Sequence, residues 1–110
     1  MRTVTTLSVS ACLLLAAGTA GNLFAQEKAD GAQLFAKKTC VACHGKDAKS
    51  PILPIYPKLA GQNAQYAFNQ MKDIKSGARN NGQTAAMKGV MHLVNEDEMR
   101  TIAEWLATLK

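Results

Sequence analysis

A chain of 110 residues with 8 glycines, 3 prolines and 3 cysteines has room for one domain and a modest core. The formal net charge of +5 comes from 13 basic and 8 acidic residues scattered along the chain, and only 5% of residues are aromatic. Scattered charge with few aromatics gives no basic stripe or stacking platform, so nucleic-acid binding is set aside.

Residues 1–25 read as a secretory signal peptide: Arg2 supplies a positive start, LSVSACLLLAAG an apolar middle, and Ala25 a small residue at the cut, with Ala20 the alternative. An uncleaved leader would make the same segment a membrane anchor, but Ser, Thr, Gly and Asn interrupt the run. Cleavage removes Cys12 and Arg2, which leaves a domain at 26–110 with two cysteines and a charge one unit less positive. So small a domain without a disulfide framework usually needs another fixed group to complete its core.

In ADGAQLFAKKT a helix capped by Asp30 is expected, with Leu34 and Phe35 on its apolar side. Residues 63–77 form the next, starting at Asn63, with Ala67, Met71 and Ile74 on one stripe and Gly77 at the end. Lys72 and Lys75 lie near its C-terminus, where the helix dipole favours cations. The last helix is the clearest: Asn95 caps VNEDEMRTIAEWLATLK, Glu98 stands at the reciprocal position of a capping box, and Val94 and Met99 make a hydrophobic staple. Met99, Ile102, Leu106 and Leu109 continue as a stripe with Trp105 beside it. PILPIYP and ARNNGQTAAMKGVMH read as irregular chain. No segment alternates like a strand, so the fold class is all-α.

KKTCVACHGK, residues 37–46, carries the chemistry. Zinc needs four Cys or His ligands, and His44 directly follows Cys43, which keeps both from joining Cys40 around one tetrahedral ion. A thioredoxin-type disulfide needs its CxxC at a helix N-terminus after a strand; here the pair is expected at the end of a helix. Covalent haem uses every position. Two thiols at this spacing add to the two vinyl groups of one porphyrin, and the adjoining imidazole becomes the proximal iron ligand.

With that motif placed, residues 31–109 resemble the small class I cytochromes c, particularly the monohaem periplasmic cytochromes of bacteria. GAQLF resembles the family's N-terminal helix, in which Gly31 and Phe35 would pack on the C-terminal helix. PKLAGQ resembles the Pro-x-Leu-x-Gly stretch, in which the Pro57 carbonyl would accept a hydrogen bond from His44. IAEWLATL resembles the final helix. The resemblance implies three main helices, with irregular loops wrapped around one covalently bound haem c. It also implies a sixth ligand from the chain before the last helix. Met87, eight residues before Asn95, fits best, Met91 is the alternative and His92 a minor contender.

A His/Met pair saturates iron and favours its reduced state. The function implied is therefore single-electron transfer in the periplasm, by a non-enzymatic carrier with no small-molecule substrate, expected as a monomer or weak dimer. The alternatives are a five-coordinate sensor or peroxidase-like protein, and a dedicated electron-transfer subunit of a periplasmic dehydrogenase. Lys37, Lys38, Lys46, Lys49, Lys58 and Lys88 flank the haem-binding segments and would steer the protein toward redox partners with acidic patches. Arg79 and Tyr56 are candidate hydrogen-bond partners for a haem propionate.

Overall fold

The computed structural model describes residues 30–110; the expected leader and its cleavage site lie outside the described residues. The fold is helical, with no strand among the described residues. Among the described residues five helices follow in order: α1 (Gly31–Lys37), α2 (Val41–His44), α3 (Ala64–Ser76), α4 (Thr84–Met91) and α5 (Glu96–Thr108).

The expected helices are α1, α3 and α5, each with its expected cap. The Asp30 carboxylate accepts from the Ala32 amide, Asn63 Oδ1 from Tyr66, and Asn95 Oδ1 from Glu98. Gly77 ends α3 at φ +88°, a left-handed conformation open to glycine without penalty. The capping box differs in detail from its usual form. Glu98 Oε1 accepts from the Asn95 side-chain amide at 2.9 Å, while Oε2 pairs with Lys38 Nζ at 2.8 Å.

The core lies between α5 and the two helices packed on it, α1 and α3. Met99, Ile102, Ala103 and Leu106 of α5 are buried, as are Leu34 and Phe35 of α1 and Phe68, Met71 and Ile74 of α3. Phe68 is absent from the stripe read in the sequence. It is covered by the Arg100 guanidinium, 4.1 Å from its ring centroid, and stacked cation and ring together shield the α3–α5 seam. Val94 and Met99 are both buried, as a hydrophobic staple requires.

Helices α1 and α5 meet at Gly31. A Cβ built there would stand 2.2 Å from Trp105 Cβ and 2.8 Å from the Thr101 carbonyl oxygen. Only glycine permits so close an approach, and it brings the Phe35 and Trp105 rings to 5.1 Å between centroids.

Two segments depart from the sequence reading. Residues 84–91, read as irregular, form α4. Met87, Val90 and Met91 share one face at i, i+3 and i+4, but a helix of 8 residues is too short for that spacing to register as a period. The Thr84 hydroxyl fastens its start by donating to the Asn81 carbonyl oxygen. The cysteine pair also does not end the first helix: α1 stops at Lys37, and Cys40 opens α2.

The stop is a Schellman turn. Thr39 N–H reaches the Ala36 carbonyl at 3.2 Å and Cys40 N–H reaches that of Phe35 at 3.1 Å. Thr39 adopts φ +68° to make it, a conformation that costs a β-branched residue about 1–2 kcal/mol. Thr39→Gly is expected to raise stability by up to about 1 kcal/mol, less than the relieved strain because glycine gains entropy when unfolded. Thermal denaturation checks it, and a lowered melting temperature would contradict the strain.

Candidate functional site

Helix α2 determines how the CVACH side chains are presented. Cys40, Cys43 and His44 stand at i, i+3 and i+4, so one helical face carries all three. The amides of Cys43 and His44 both donate to the Cys40 carbonyl, at 3.3 and 3.0 Å. Gly45 closes the turn at φ +81°, and a Cβ there would stand 2.3 Å from the Ser50 carbonyl oxygen, so the chain folds back tightly. Asp47 holds the returning loop by accepting from the amides of Lys49 and Ser50. The Ala48 carbonyl then accepts from Leu59 and Ala60, and the Gly61 amide donates to Leu106 of α5 at 2.8 Å. The chain just after Pro57 is thus tied both to the cysteine loop and to α5.

His44 is 3% exposed, and its Nδ1 lies 2.9 Å from the Pro57 carbonyl oxygen. A carbonyl only accepts, so Nδ1 carries the hydrogen, and in the neutral ring Nε2 keeps its lone pair. Burial, partly opposed by the Pro57 contact, holds the imidazole below its usual pKa and therefore neutral near pH 7. Nε2 is buried without a hydrogen-bond partner. A buried acceptor left unpaired costs stability unless something binds it.

His44 lines a cavity of about 620 Å³, within the roughly 300–1,000 Å³ range of pockets that enclose small organic molecules. Cys40, Cys43, Pro57, Met87 and Met91 line it as well, so these site residues read from the sequence share one space. The remaining wall is largely apolar, built by residues such as Leu59, Met71, Ile74, Val90 and Ile102. Arg79 and Tyr56 also border the cavity, with Arg79 Nη1 donating to Gln70 at 3.0 Å.

The two methionines differ. Met91 is 1% exposed and belongs to the packed core, whereas Met87, one turn earlier on α4, is half-buried and only packs against the core's edge. His92 is exposed and does not line the cavity. Phe35 stands 6.5 Å from His44 between ring centroids and shields it from one side.

Both motif thiols are free, and burial pushes that of Cys40 up to about 11. Among the described residues no three His, Cys, Asp or Glu side chains gather as a metal cluster. A planar, largely apolar group that reacts with two thiols and accepts one nitrogen lone pair fits what the cavity offers, and haem meets each requirement.

Residues 28–110 match the family model described as Cytochrome c. The chain is 39% identical over 98 residues to a cytochrome c4 of Pseudomonas aeruginosa, covering 89% of this chain and 46% of that protein. It is 30% identical over 101 residues to a cytochrome c-553 of Nitratidesulfovibrio vulgaris, covering 92% of this chain and 93% of that one. A thiosulfate dehydrogenase electron acceptor of Stutzerimonas stutzeri is 31% identical over 102 residues, 84% of this chain and 46% of the relative. The chain therefore spans about half the length of the cytochrome c4 relative, and nearly all of the c-553.

Proposed function

The chain belongs to the cytochrome c family, and we propose that it carries single electrons between redox proteins through one covalently bound haem c. In this reading Cys40 and Cys43 would form the thioether links, and His44 Nε2 and the Met87 sulfur would both hold the iron. The observation that carries it is the buried, unpartnered Nε2, whose tautomer is fixed by the Pro57 carbonyl.

When bound, the haem supplies a one-electron iron couple, and the thioether ligand raises its potential. The protein's own residues do the rest. Pro57 orients the His44 ring and makes it a stronger donor. Leu59, Ile74 and Val90 keep water from the cavity, and a low local dielectric favours the less charged, reduced iron. With His44 and Met87 both holding the iron, no ligand position would remain open to a substrate, and the protein would act as a carrier with no catalytic residues of its own.

The same reading places residues 1–25 as an export leader, residues 26–110 as the haem domain, and the protein in the periplasm. Among the described residues no helix is long and apolar enough to cross a membrane. A redox protein is the partner class favoured by the relatives named as electron acceptors of thiosulfate dehydrogenase. Ile52 and Ile55 of PILPIYP are 63% and 60% exposed, and Ile55 also borders the cavity. Lys46, Lys49 and Lys58 flank them along the chain and are exposed. An apolar centre with a cationic rim suits a transient partner with acidic docking patches. Lys38 does not join that rim, because it is engaged with Glu98.

Expression with cytochrome maturation machinery tests the reading. The purified protein is expected to be red, to keep its haem after denaturation, and to show sharp reduced bands that oxidation broadens. A colourless, well-folded product would overturn it.

A further inference from the structure

Helix α4 ends without a glycine or an asparagine to close it. His92, Leu93 and Val94 prolong its last turn, with their amides bonded to the carbonyls of Lys88, Val90 and Met91. The carbonyls of Leu93 and Val94 have no partner on their own helix, and each is met by an ammonium from another one. Lys38, the C-cap of α1, donates to Leu93 O at 2.8 Å, and Lys75 of α3 donates to Val94 O at 2.6 Å. Lysines at a helix C-terminus satisfy orphan carbonyls and complement the dipole.

Neither lysine is an ordinary solvated one. Lys38 also pairs with Glu98 Oε2 at 2.8 Å, with the two side chains only 20% and 24% exposed. Glu98 in turn is bound to Asn95, the cap of α5. The junction between α4 and α5 is therefore held from α1, α3 and α5 together. Lys38 sits two residues before Cys40 and so links the cysteine segment to the far end of the helix that bears Met87.

We propose that Lys38 and Lys75 are positioning residues for the Met87 sulfur, locking the α4–α5 junction so that α4 cannot swing from the cavity. The inference rests on the reading of Met87 as the distal ligand. Neither lysine lines the cavity, so their influence on the site passes through the backbone they hold. An exogenous ligand for the oxidised iron would compete with the sulfur and bind only the fraction of molecules in which the sulfur has left. Its apparent affinity therefore reports that fraction directly.

Imidazole titration of the oxidised holoprotein is the test. K38M/K75M is expected to lower the apparent Kd for imidazole at least fivefold with the haem still covalently attached. K75R, which keeps a cationic donor, should stay within twofold of wild type. K72M is the second control, since Lys72 is exposed, pairs with Glu96 at 3.4 Å and lies 5.3 Å from the Phe68 ring centroid, and so does not reach the Leu93 and Val94 carbonyls; it too should stay within twofold. A K38M/K75M value within twofold of wild type would overturn the proposal. If that variant yields no folded holoprotein, K75M alone is titrated, and less than a twofold fall counts against the proposal. A wild type without the far-red iron–sulfur band would remove the Met87 reading and this inference with it. A wild type that has the band, with lysine variants that do not loosen it, removes only this inference.

Discussion

Met87→Ala holoprotein is expected to lose the weak far-red absorption that iron–sulfur ligation gives the oxidised form, and to bind carbon monoxide rapidly once reduced. Its reduction potential should fall by at least about 59 mV, a tenfold change in a one-electron equilibrium, because the thioether is what raises the potential. Met91→Ala is the informative comparison. Met91 is 1% exposed and fills the core behind Met87. Its truncation leaves a cavity and should cost about 2–5 kcal/mol of stability while the far-red band persists. On the proposed ligation, one substitution thus acts on the iron and the other on the packing. A band that survives Met87→Ala and disappears with Met91→Ala would exchange the two assignments.

Gly31→Ala should be nearly as damaging as a core truncation, although it adds only a methyl group. That methyl has no space: Trp105 Cβ stands at 2.2 Å and the Thr101 carbonyl at 2.8 Å from where it would lie. Neither obstacle is the free end of a flexible side chain, so α1 and α5 must separate to admit it. Overpacking of this kind costs about 1–3 kcal/mol and occasionally more, and the backbone obstacle puts this site at the upper end. The helix propensity gained by alanine, at most about 1 kcal/mol, is smaller and opposite in sign. Chemical denaturation of the holoprotein measures the difference. Unchanged stability would mean that the two helices do not cross at Gly31.

A good deal of this was legible in the residues, and the reasons are local. Asn95 with Glu98, Asn63 with Gly77, and Asp30 fix helix ends through interactions within a few residues of each other, so their order along the chain is sufficient to find them. Phe68 was harder to place: it adjoins Ala67 on α3, and only the arrival of Arg100 from α5 makes its position an interior one. Helix α4 was missed for a related reason. A single apolar face of Met87, Val90 and Met91 has no repeat to betray it, and the lysines that secure its end come from 19 and 55 residues away.

The candidate chemistry was already legible in the residues: two thiols and an imidazole lie within five consecutive positions, from Cys40 to His44, and covalent geometry holds them close whatever the rest of the chain does. How that set is completed depends on the folded chain. Pro57, 13 residues on, meets His44 Nδ1, Met87 arrives in the same cavity on a helix of its own, and Lys38 is drawn from the surface to the end of that helix. Contacts between distant residues are paid for with the entropy of closing the chain between them. They exist because burying the α1, α3 and α5 faces offsets that cost, and no short stretch of sequence records where they form.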